Sequence, residues 1–163
     1  MKTIVTDTTL VDLLIVCKGL PADEIEQIEA FSGKKFDLEQ IAIQLMTTGG
    51  PTWTCRIRET GEPLVVAGFI QVGRTIWRSF MLANQRAWDE YGVEVTAHVC
   101  RMLKRFLKNQ EHIRIETICL ATRKKAHEWY LRIGLTHEAT LESYGVNGES
   151  AVLYVKTKGA RKY

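Results

Sequence analysis

The sequence predicts an α+β domain built on a mostly antiparallel sheet flanked by helices, and three observations point to it. Apolar side chains recur at helical spacing through the first 50 residues, the period falls to two from Thr52, and a long amphipathic segment after Glu94 is followed by strand, helix and hairpin patterns. At 163 residues, 45% hydrophobic and 25% charged, the chain suits a single core. Fibrous, disordered and disulfide-stapled classes are excluded by the same composition. The longest apolar runs, residues 13–17 and 64–70, are far shorter than the roughly 20 residues that cross a bilayer. Asp7 also interrupts the region where a signal peptide would be apolar, so a cytoplasmic protein without a membrane partner is expected.

Taken in order, residues 3–5 form a short strand, and Thr8 and Thr9 cap a helix carrying Leu10, Leu13, Leu14 and Cys17 on one side. Pro21 opens a second helix, with Ile25, Ile28 and Phe31 on one face, and Asp37 caps a third. Trp53, Cys55 and Ile57 then alternate with Thr54, Arg56 and Arg58, and the turn at residues 60–63 leads into a more central apolar strand over 64–72. A third strand over 75–82 completes an antiparallel meander. Residues 83–92 are read as a polar connection, and a helix is predicted over 94–108, with Val95, Val99, Met102, Leu103 and Phe106 facing the sheet. A strand over 113–120, a helix over 123–133 capped by Thr122 and stopped by Gly134, and strands over 135–144 and 149–156 joined at Asn147-Gly148 end the domain. The single domain is set at 1–156, with 157–163 a basic tail.

Charge and cysteine usage narrow the function classes. The net charge is +3, with Arg101, Lys104, Arg105 and Lys108 on one helix face and Lys156, Lys158, Arg161 and Lys162 near the end. A solvated helix face and a soluble tail account for these groups, and no helix-turn-helix or aromatic stacking motif supports nucleic acid as a partner. Cys17, Cys55, Cys100 and Cys119 have neither C-x-x-C spacing nor a histidine at a ligand offset, so reduced thiols and no metal are expected.

In the 123–135 stretch, Arg-Lys-Lys-Ala-His-Glu-Trp-Tyr-Leu-Arg-Ile-Gly-Leu, residues Ala126, Tyr130, Gly134 and Leu135 follow the pattern Asn-x-x-Ala-x-x-x-Tyr-x-x-x-Gly-Phe. Arg123 replaces the Asn and Leu135 the Phe. With the element order, this stretch resembles the GNAT superfamily of N-acetyltransferases, over residues 52–155. The resemblance implies a GNAT-like fold with a mixed, mostly antiparallel central sheet, and acetyl-CoA as cosubstrate. It implies pantetheine held by the backbone of Met81, Leu82 and Ala83, and a pyrophosphate received at Tyr91, Gly92 and Val93. Arg123 and Ala126 are further cofactor-binding candidates. Of the family's phosphate loop only Gly92 matches, with Asp89 and Glu94 standing where the family has a basic or amide residue and a small one.

Tyr130 matches the position from which many members offer a phenol to the departing thiolate, so it is the candidate catalytic acid. No general base stands out among Glu59, Glu62, Glu116, His127, His137 and Glu138. His98 reads as a structural histidine. Trp77, Trp88 and Trp129 are candidate rings of an acceptor pocket, with Trp77 read as core or core-edge and Trp88 as a ring in a polar loop beside the cofactor channel. Two functions follow. The first is transfer of an acetyl group from acetyl-CoA to an amine on a small molecule or protein. The second, drawn from a resemblance to GNAT-like proteins of tailed bacteriophages, some of them internal virion proteins, is a weakly active or inactive fold with a virion or host protein as partner. In that case the protein would sit in the host cytoplasm or the virion.

Overall fold

The computed structural model describes residues 1–159. Twelve elements follow one another as β1 (Thr3–Asp7), α1 (Leu10–Lys18), α2 (Ala22–Ser32), α3 (Leu38–Thr47), β2 (Thr52–Ile57), β3 (Pro63–Gln71), β4 (Ile76–Ala83), α4 (Gln85–Lys108), β5 (Ile113–Leu120), α5 (Lys124–Arg132), β6 (Thr136–Leu141) and β7 (Ala151–Lys158). The strands make one seven-stranded sheet in the order β1-β2-β3-β4-β5-β7-β6. Every pairing is antiparallel except that between β4 and β5. The mixed, mostly antiparallel α+β architecture is thus the one expected.

Two cores lie against the sheet. Leu13, Val16 and Cys17 of α1 and Ala42 of α3 bury against Val66 and Leu82. Alternate residues of β3 point the other way, so that Val65, Ala67 and Phe69 meet Ala87, Val95 and Leu103 of α4; Leu64, beside the register shift between β2 and β3, joins the same cluster. The third cluster joins Ile133, Leu135 and Tyr154 to Val99 and Cys100, which seats α5 beside α4.

Local signals explain most boundaries. Thr9 and Asp12 form a capping box at the start of α1. Asp12 is buried and continues into the sheet, bonding Thr54 Oγ1 and pairing with Arg56. Burial alone would raise its carboxyl, but the Thr9 N–H and the Arg56 guanidinium hold it below the usual carboxylate range. Asp37 caps α3 through the N–H groups of Glu39 and Gln40, and Gly134 takes the left-handed φ of 87° that ends α5.

Several boundaries differ from expectation: β1 runs on to Asp7 and β7 starts only at Ala151, and four further differences bear on the site or on the domain limit. The expected polar connection over 83–92 is helix: α4 starts at Gln85, immediately after β4, with Asn84 as its cap. The missed signal is that Trp88 and Tyr91 extend the Val95–Val99–Met102 stripe backwards at the same three-to-four spacing. α5 begins at Lys124, so its cap is Arg123 rather than the expected Thr122, and Arg123 makes no side-chain capping bond. β6 stops at Leu141, because residues up to Tyr144 turn early, Ser143 having φ 51°. Thr157 and Lys158, placed in the tail, pair with Arg114 and Ile113 in β7. Arg161 and Lys162 of that tail lie outside the described residues.

Among the described residues no helix is long and apolar enough to cross a membrane. Cys17, Cys55 and Cys119 are buried thiols and Cys100 is half-buried.

Candidate active site

The parallel pairing of β4 with β5 covers only Ile76 with Arg114, Trp77 with Ile115 and Arg78 with Glu116, after which the two strands part. Asn84 N–H donates to Leu64 C=O and Val72 N–H to Ile76 C=O, so even-numbered residues of β4 bond to β3. Arg114 N–H donates to Thr75 C=O, so odd-numbered ones face β5. Beyond Arg78 the main-chain groups of Met81 and Ala83 therefore turn into a gap in the sheet. Leu82, expected beside them as a backbone contact, turns its N–H and C=O to Val66 instead. At the closed end of the gap Ser79 Oγ and Thr117 Oγ1 are hydrogen-bonded across the strands.

A cavity of about 460 Å³ fills this gap and reaches helices on both faces of the sheet. Met81, Leu82 and Tyr130 line it, the other expected site residues do not. α2 reaches in from one side: Gln27 Oε1 accepts the Leu120 N–H of β5 at 2.9 Å. The β6–β7 loop closes over α2, with the Tyr144 ring edge-on to Phe31 at 5.3 Å and Val146 N–H donating to Ala30 C=O.

Tyr130 packs between Trp129 and Tyr154, ring centroids 5.5 and 5.3 Å away. Among the described residues its phenol makes no hydrogen bond, and burial pushes its pKa far above the ordinary value of 10.0, with Cys119 and Glu24 adding to the rise. It is a protonated donor throughout neutral pH.

Tyr91, Gly92 and Val93 are not a turn. They lie inside α4, where backbone N–H groups are committed to the helix, so they cannot cradle a pyrophosphate. The true N-terminus of α4 is also largely satisfied by the protein: Asn84 N–H donates to Leu64 C=O, Gln85 N–H to Gly19 C=O, and Ala87 N–H to Asn84 Oδ1. The acidic residues that stood out there are harmless helix-surface groups. Asp89 Oδ1 accepts from Gln85, and Glu90 pairs with Arg86. Glu94 bonds the N–H groups of Lys2 and Thr3 and the Thr3 hydroxyl, holding β1 to α4.

Arg123 is likewise engaged elsewhere. Its guanidinium pairs with Asp23 at 3.0 Å and Glu24 at 2.6 Å, tying α5 to α2, and only 11% of the side chain is exposed. Ala126 sits in the first turn of α5, its N–H bonded to Arg123 C=O.

Sequence reasoning overlooked Glu24 and Gln27, both of which line the cavity. The acidic side of α2 reads as a solvated face until α5 is seen to cover it. Glu24 is raised above the ordinary 4.5 by burial, against the pull of Arg123. None of the six acids and histidines considered as bases lines the cavity. Glu62 pairs with Arg86, Glu116 with Arg78 and Arg114, Glu138 with Arg114, and His127 with the Tyr154 hydroxyl. His98 is buried and bonded to Thr3, a structural position. Trp88 is no loop ring: it packs edge-on to Trp129 between α4 and α5.

A sheet that opens between its two parallel central strands, with a helix following each, has close counterparts among solved structures. An acetyltransferase of the GNAT family from Bacillus anthracis superposes with a TM-score of 0.73 at 12% identity, over 96% of this chain and 95% of that one. The fold is that of the GNAT acetyltransferases. A GNAT-superfamily phosphinothricin acetyltransferase from Sinorhizobium meliloti, in complex with AcCoA, matches at 0.71 and 12% identity over 98% and 90% of the chains. A SpeG spermidine N-acetyltransferase variant from Vibrio cholerae matches the GNAT fold seen here at 0.70 and 11% identity, over 96% and 94%. No family model and no curated protein matches the sequence.

Proposed function

We propose that the protein is an acetyl-CoA-dependent N-acyltransferase, one transferase domain acting on an amine. The reading rests on one arrangement: main-chain groups of Met81 that face away from β3 and the phenol of Tyr130, which makes no hydrogen bond among the described residues, line the same cavity in the gap between β4 and β5. An extended pantetheine arm fits such a gap as an added strand, bonding to main chain whatever the side chains are. Acetyl-CoA supplies the thioester carbonyl that the amine attacks. A β4 N–H fixed at the gap offers a preorganised donor to the carbonyl oxygen as negative charge develops there. As the N–C bond forms and the C–S bond breaks, Tyr130, kept protonated by burial, donates to the departing sulfur, and the proton released by the amine nitrogen restores the phenol, so that amine and thioester give amide and thiol. No metal is required by this chemistry.

Binding is weighted toward the arm rather than the phosphates, because the α4 terminus that would receive the pyrophosphate is largely satisfied internally. Calorimetric titration with acetyl-CoA and with acetyl-pantetheine tests both points. We expect both to bind, within about tenfold of each other; absence of binding at millimolar acetyl-CoA overturns the transferase reading. Tyr130→Phe is expected to lower turnover by about a hundredfold or more with little change in acetyl-CoA affinity.

The satisfied α4 terminus also favours a second reading, a GNAT fold kept for interaction without cofactor. Absence of acetyl-CoA binding would select it. A bacteriophage origin and a virion or host protein partner draw no support from the compared structures.

A further inference from the structure

The acceptor end of the cavity is built by α2, α3 and the strand residues facing them. Its walls there are Ile28, Phe31, Ile41, Leu45 and Phe80, with Tyr144 as part of the roof. Among the described residues only two charged side chains line the whole cavity, Glu24 and Arg78. Arg78 is a cation paired to Glu116 at 3.3 Å. Glu24 gives Oε2 to Arg123, while its other oxygen, Oε1, accepts no hydrogen bond from the described residues. The acceptor end therefore offers one carboxylate oxygen to one ammonium group, surrounded by aliphatic and aromatic surface.

A polycation would fare badly in such a place. Each extra ammonium would leave water for a wall with no anion to meet it, beside the Arg78 guanidinium. An apolar chain gains instead from every methylene it buries. The volume sets the size: about 460 Å³ is toward the lower end of the range of roughly 300–1,000 Å³ that small-molecule sites span, and the pantetheine arm takes part of it.

From this geometry we infer that the acceptor is a small primary monoamine on an apolar chain or ring, received at Glu24 and bedded against Phe31, Ile41 and Phe80. The inference rests on the transferase reading of the same cavity, and it names the substrate class of that site. Gln27 and Gln44, also in the lining, are neutral and leave the charge balance unchanged.

The test separates the two claims by measuring amine binding without acetyl-CoA. Butylamine, pentylamine, hexylamine and spermidine are titrated into the full chain and followed by NMR shift changes. Affinity is expected to rise about three- to fourfold per added methylene from butylamine to hexylamine. Spermidine, although longer, is expected to bind at least tenfold more weakly than hexylamine. Glu24→Gln should weaken hexylamine binding while preserving the chain-length trend, and Phe31→Ser should flatten that trend. A flat chain-length series, or spermidine binding as tightly as hexylamine, overturns the assignment. If the alkylamine trend holds but acetyl-CoA does not bind, the apolar-amine site stands and the transferase reading falls; if acetyl transfer prefers spermidine, the reverse is true.

Discussion

Gln27 on α2 accepts a hydrogen bond from the backbone N–H of Leu120 at 2.9 Å, doing for the last residue of β5 what a neighbouring strand does elsewhere in the sheet. Where β4 and β5 part, a side chain from a helix finishes the ladder. Gln27→Leu leaves the buried Leu120 N–H without a partner, which costs about 1–3 kcal/mol. Urea unfolding should show that loss, and Gln27→Glu, which retains an acceptor oxygen, should recover much of it. Equal losses in the two variants would assign Gln27 to packing alone.

Gly92 distinguishes helix from phosphate turn. A Cβ built there meets only Trp88 Cε3 within 4 Å, at 4.0 Å, and the position lies inside α4. Gly92→Ala is therefore expected to stabilise the protein by roughly 0.5–1 kcal/mol and to leave acetyl-CoA affinity unchanged. A large drop in affinity would restore Gly92 to the cofactor site.

The Arg123–Glu24 pair is close to fully enclosed, the side chains being 11% and 12% exposed. Removing one partner strands the other. Arg123→Met should destabilise by about 3 kcal/mol or more, whereas the double variant Arg123→Met/Glu24→Leu should lose distinctly less than the two single losses combined. Additive losses in a double-mutant cycle would show that the pair is not coupled.

Glu94 predicts a specific acid sensitivity. Hydrogen bonds from the Thr3 hydroxyl and the Lys2 and Thr3 N–H groups lower its carboxyl from the ordinary 4.5 to about 2. A folded-state value below the unfolded one means that this stabilisation is complete above about pH 4.5 and is lost as pH falls toward 2. Thermal unfolding of wild type and Glu94→Gln should differ at neutral pH and converge across that window. A constant difference down to pH 2 would remove Glu94 from the acid transition.

Much of this was legible in the order of residues. The shift from helical spacing to alternation at Thr52, the Asp37 cap and the Asn147-Gly148 turn each specify their element through local chemistry, and together they define the sheet. Tyr130, which lines the cavity, stands out in the sequence through the GNAT-like pattern it shares with Ala126 and Gly134. The start of α4 was missed for a physical reason: Gly92 is a weak helix former, and the length of α4 overrides that preference. Glu24 and Gln27 were out of reach, since their place in the cavity depends on α5 and β5, some 90 to 100 residues further along the chain. Pairings of that separation leave no periodic trace.

The protein's thiols have a practical consequence for any assay that follows released coenzyme with a thiol reagent. Cys17 and Cys119 are each pushed up to about 11 by burial, and Cys55 is raised as well. Only a thiolate reacts with such reagents at a useful rate. Three of the four cysteines should therefore stay silent in the native state, and any fast protein background should come from half-buried Cys100 alone.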